Sequence, residues 1–139
     1  MVAVPNLSSI QARWAGSTWF HLDLPRHLFH FPLPGLRRLL EECRFTCQSE
    51  HHFSLRQNPF GWVQSFLNRN RSLPRNSLYT LLQRKQSEAK PFTRLIRFRL
   101  RLAYMLGMPI GLMLSVLAAM VRNGATVHVV ANCAKDAES

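Results

Sequence analysis

The sequence predicts a mainly α protein: one C-terminal transmembrane helix, preceded by short amphipathic helices and a poorly ordered N-terminal region containing prolines and aromatics. Three observations predict it. A run of twenty residues carries no charge, a dense cluster of cations lies directly ahead of that run, and brief helix-start signals recur upstream. The divisions that follow are an irregular segment 1–34, short cytosolic helices within 35–90, a basic juxtamembrane stretch 91–101, the span 102–121 and a short tail 122–139.

The uncharged run is Leu102 to Val121, LAYMLGMPIGLMLSVLAAMV, closed by Arg101 and Arg122. Twenty residues at roughly 1.5 Å rise make about 30 Å, the thickness of a bilayer's hydrocarbon core. Each Leu, Ile or Val near the centre favours insertion by roughly 0.3–0.6 kcal/mol, a gain that Pro109 and two glycines partly offset. A core helix of a soluble bundle can also be apolar all round. It needs a covering shell, and the rest of the chain holds seven prolines and only short, broken apolar patterns.

Charge distribution predicts which way the span runs. The chain has 139 residues and a formal charge of +11, with 18 Lys and Arg against 7 acids. Fifteen of those cations are Arg. Residues 69–101 hold ten cations against Glu88 alone, whereas residues 102–139 are balanced. Cytoplasmic flanks are the cation-rich ones, so the N-terminal side faces the cytosol and the tail faces the lumen or exterior. The N-terminus lacks the unbroken apolar stretch of a secretory signal, because Pro5, Asn6, Ser8, Ser9 and Gln11 interrupt it. Its acid-poor composition suits a mitochondrial presequence, but Pro25, Pro32 and Pro34 break the helix such a peptide needs. An ER-type membrane is the preferred location and a mitochondrial membrane the second.

Five small residues, Ala103, Gly107, Gly111, Ser115 and Ala119, recur at every fourth position of the span. Residues four apart share one helix ridge, so these make a shallow groove into which a second helix can pack. The expected occupant is another copy of the chain or a different transmembrane helix. Ahead of the span, Arg94, Arg97, Arg99 and Arg101 are expected to contact anionic lipid, at about 1 kcal/mol per cation near the surface. The four methionines of the span are at best a weak copper signal, since thioethers serve more often as apolar filling.

Upstream, Asn58-Pro59 opens a stripe of Phe60, Val63, Phe66 and Leu67, and Ser72 or Asn76 opens another with Leu78, Leu81 and Leu82. A third pattern, Leu36, Leu39, Leu40, Cys43 and Cys47, predicts one more amphipathic helix. After the span, Asn123-Gly124 resembles a helix stop, and Thr126 to Ala131 has strand-like β-branched content without a visible partner.

Chemistry-bearing constellations are sparse. Cys43, Cys47 and His51 have metal-ligand side chains, but residues 43 and 51 of one helix stand about 12 Å apart, too far to share an ion. Three cysteines suggest no disulfide framework. There is no Gly-rich phosphate loop, no GxSxG elbow and no HExxH pair. No catalytic, cofactor-binding or metal residue is therefore assigned, and an enzyme is not expected. The leading reading is a single-pass membrane protein acting through helix and lipid contacts. An Arg-rich nucleic-acid-binding protein with the run as its core is second, with Phe92 and Phe98 available to stack on bases. Third is an open reading frame without a selected role, suggested by the Arg-to-Lys ratio and scattered Pro and Trp.

Overall fold

The computed structural model describes residues 1–23, 29–83 and 92–133. Its architecture is mixed α/β, with a three-stranded antiparallel sheet beside a group of helices. This corrects the mainly α expectation. In chain order the elements are β1 Val2–Pro5, α1 Ile10–Ala15, two short 3-10 turns Gly16–Thr18 and Phe20–Leu22, α2 Leu33–Glu42, β2 Phe45–His51, α3 Asn58–Asn68, α4 Ser77–Leu82, α5 Arg94–Met120 and β3 Thr126–Cys133.

The strand order is β1-β3-β2, so β3 is central. Val2 stands opposite Val129 and Pro5 opposite Thr126 on one side of it. Phe45 pairs with Cys133 and His51 with His128 on the other, with an irregularity between Cys47 and Ser49. Proline closes β1, an edge strand, where a missing N–H costs least. The β-branched run at 126–131 thus finds its partners at residues 2–5 and 45–51. One consequence concerns sidedness: the sequence puts residues 1–101 and 122–139 on opposite faces of a bilayer, whereas the sheet hydrogen-bonds 126–133 directly to 2–5 and 45–51.

Two further expectations change. The segment 1–34 holds β1, α1 and both 3-10 turns rather than being irregular throughout. Ser9 caps α1, its hydroxyl accepting from the Ala12 N–H at 3.1 Å. The stripe from Leu36 to Cys47 does not lie on one helix. α2 ends at Glu42, Arg44 turns the chain at φ 61°, and Cys47 belongs to β2. The other start signals fall close to their marks. Asn58 and Pro59 open α3, and Asn76, in a left-handed conformation, precedes α4.

Three apolar clusters hold the molecule together. Leu33 and Leu36 of α2 pack on Val127 and Val129 of β3. Trp19 sits with Ala12, Ala15 and Ala125. Val63, Leu78 and Leu100 join α3, α4 and α5, with Phe60, Leu67, Ile96, Tyr104 and Met108 around them. Between the clusters run buried neutral amides. Gln11 donates to the Asn58 carbonyl at 2.9 Å and accepts from the Trp19 indole at 3.0 Å. Gln64 donates to Asn68 at 2.9 Å and accepts from the Tyr79 N–H at 2.9 Å. A buried polar side chain is tolerable only when so satisfied, and these pairings fix how α1, α3 and α4 meet.

Candidate membrane-facing site

α5 is built from both halves of the basic and apolar pattern. Thr93 caps it, accepting from the Ile96 N–H at 3.3 Å, and it continues for 27 residues through Pro109 to Met120. At 1.5 Å per residue it is about 40 Å long, so its length and composition are enough to cross a bilayer. Only 17% of its most apolar 18-residue stretch is buried. Leu100, Gly111, Ser115 and Ala118 point inward, while Phe98, Leu106, Ile110, Met113, Leu117 and Met120 are exposed. Soluble monomers rarely leave so long an apolar strip open to water.

The small-residue ridge forms as a ridge, and α3 of the same chain already occupies its middle. A Cβ added to Gly107 would stand 2.9 Å from Val63 Cγ2, and one added to Gly111 would stand 2.6 Å from the Pro59 carbonyl oxygen. With Pro59 at Gly111 and Val63 at Gly107, α3 runs antiparallel to α5. Ser115 is buried, and its hydroxyl donates to the Gly111 carbonyl at 2.6 Å. Ala103 and Ala119, at the ends of the series, are half-buried. In the middle of the series the close neighbour is α3 of the same molecule, whereas the sequence predicts a second copy or another transmembrane helix there. Gly111→Ile is expected to destabilise the fold itself, by about 1–3 kcal/mol for overpacking against backbone. Leu112→Ile, on the exposed side, should leave the thermal midpoint within about two degrees, because surface changes usually stay within ±0.5 kcal/mol. Equal midpoints for the two variants would refute the packing role of the ridge.

The four arginines divide by helix geometry. Arg94 and Arg101 lie along one border of the exposed apolar strip and Arg99 along the other, all three exposed. Arg97 turns toward the covered side and is half-buried, its Nε without a hydrogen-bond partner. Three cations thus rim the N-terminal third of the strip, and Arg97 stands apart from them on the covered side.

Two cavities flank the seam between α3 and α5. One, about 590 Å³, is walled by apolar and aromatic side chains, including Trp14, Trp62, Phe66, Ala103, Ile110 and Leu114. The Trp14 and Trp62 rings stand 5.2 Å apart, and the Arg69 guanidinium lies 4.4 Å over Trp14. The other, about 610 Å³, mixes Phe20, Phe60, Tyr79 and Tyr104 with Asp23, Arg56 and Gln57. Neither was legible from spacing, because each is lined by residues of three or more separate elements.

The distinctive electrostatics lie on the sheet. Arg37 grips Glu50 through two hydrogen bonds of 2.6 Å, which hold the carboxyl below the usual carboxylate range and raise the guanidinium above its own. The buried His52 stands 3.7 Å from Glu50, and desolvation pushes its imidazole below the ordinary value against the pull of that carboxylate. Cys43 is exposed beyond α2, and Cys47 and His51 sit on β2. Among the described residues no three His, Cys, Asp or Glu side chains gather as metal ligands do. No protein-family model matches the chain, no curated protein matches it in sequence, and no solved structure matches its fold.

Proposed function

We propose that the protein works at a membrane by contact rather than catalysis, with the exposed face of α5 immersed in one leaflet and the rest of the fold carried above it. The observation that carries this is the unbroken exposed apolar strip from Leu95 to Met120, rimmed at one end by Arg94, Arg99 and Arg101. Such a strip gains by leaving water, and the arginines reach headgroups from its borders. An in-plane placement is favoured over a crossing by two features of the fold. The opposite face of α5 is packed against protein from Ile96 to Ala118, and β3 returns to strands that precede the helix.

The test is flotation of the purified chain with phosphatidylcholine vesicles, with and without phosphatidylserine. Wild type should float, and more completely with the anionic lipid. Ile110→Lys with Met113→Glu places charges at the middle of the strip, at positions 57% and 55% exposed, so the fold should survive. Each apolar side chain withdrawn from the leaflet forfeits about 1.5–3 kcal/mol of burial, so bound protein should fall about tenfold or more with an unchanged circular dichroism spectrum. Wild type that stays in the buffer layer as a monodisperse species would exclude the membrane role.

A further inference from the structure

We infer that the cavity between α3 and α5 is a binding groove for one acyl chain of an anionic phospholipid, drawn from the leaflet on which α5 lies; the inference rests on the membrane reading above. Along α5 the groove runs from Ala103 to Leu114, twelve residues or about 16 Å. One leaflet's share of a hydrocarbon core about 30 Å thick is about 15 Å, so its length matches the reach of a single tail. Its volume of about 590 Å³ falls within the usual range of ligand sites, roughly 300–1,000 Å³. Its wall continues into the exposed strip through Ile110, which is 57% exposed, so a tail can enter sideways from the leaflet.

Charge fixes which way the lipid lies. Because α3 runs antiparallel to α5, the C-terminal end of α3 lies beside the N-terminal end of the groove. Arg69 follows α3 directly, lies over the Trp14 ring and donates to the Trp14 carbonyl at 2.9 Å. Arg99 stands one turn ahead of Ala103 on the same ridge, exposed. The groove therefore has two arginines at one end and only apolar side chains at Leu114, the polarity of an anionic amphiphile. A zwitterionic headgroup has no net charge to answer that pair.

The test uses lipids whose tails carry bromine, which quenches tryptophan on contact. Trp14 and Trp62 line the groove, whereas Trp19 is fully buried in another cluster and serves as the unquenched remainder. The full chain is mixed with phosphatidylcholine vesicles containing a minority of brominated phosphatidylserine, or of brominated phosphatidylcholine instead. Phosphatidylserine should quench at lower concentration, by about fivefold for each cation that meets its headgroup, and Arg69→Gln should remove about fivefold of that preference while the remaining arginines keep the rest. Ala103→Leu or, independently, Leu114→Phe fills the groove and should cut quenching while flotation is unchanged. Flotation with quenching that neither filling variant alters overturns the groove alone. Equal quenching by the two wild-type lipid mixtures overturns the anionic assignment, and absence of flotation overturns groove and membrane reading together.

Discussion

Gly124→Ala is expected to lower the unfolding free energy by about 3 kcal/mol or more, at the upper end of overpacking costs. Gly124 is buried between the end of α5 and the start of β3, and a Cβ placed on it would overlap the carbonyl oxygen of His52. That obstacle is backbone, so no rotamer change can clear it. The Asn6 side chain donates to the Gly124 carbonyl at 3.2 Å, and the Asn6 N–H donates to the Ala125 carbonyl at 2.8 Å, so moving Gly124 also disturbs the start of the β1–β3 ladder. Thermal denaturation should show the midpoint falling by about 10 °C. A midpoint within two degrees or so of wild type would mean that the His52 carbonyl does not lie where the structure puts it. The residue thus serves a close approach, while the left-handed turn after α5 is made by Arg122 at φ 51°.

Trp19→Ala should cost about 3–5 kcal/mol, the range for removing a buried aromatic. Trp19 is fully buried, and its indole N–H is the donor to Gln11 Oε1. Without it that oxygen loses the indole donor, and an unsatisfied buried acceptor adds about 1–3 kcal/mol where water cannot reach it. Trp19→Phe keeps most of the volume but not the donor, so it should fall between wild type and the alanine variant. Urea denaturation measures all three. Indistinguishable midpoints for Phe and wild type would show that the Gln11 bond contributes nothing net.

The long helix was legible because its two signals are local: no charge over twenty positions, and a dense cluster of cations directly ahead of them. The small-residue ridge was equally local, since i, i+4 spacing places Gly107 and Gly111 on one face whatever lies opposite. The occupant of that face was not legible. α3 has no charged residue from Asn58 to Asn68, a feature that marks it as something to be covered, yet its eleven residues are too few to announce a partner for a membrane-length helix. Strand β2, FTCQSEH, lacks the alternation that would set it apart from the Leu36 to Cys47 helical pattern. The short β1 finds its partner 121 or more positions away, at Thr126 to Val129, a pairing that local periodicity does not encode. Arg69 over Trp14 likewise joins residues 55 apart.

The central position of β3 also constrains how the chain matures. β1 and β2 both pair with a strand that follows them in synthesis, so until residues 126–133 emerge each presents unpaired backbone to its surroundings. Closing a loop of that size is slow relative to local helix formation. During the interval α5 is already made, with an apolar face that nothing has shielded. Overproduction in the absence of lipid should therefore yield inclusion bodies rather than dispersed chains.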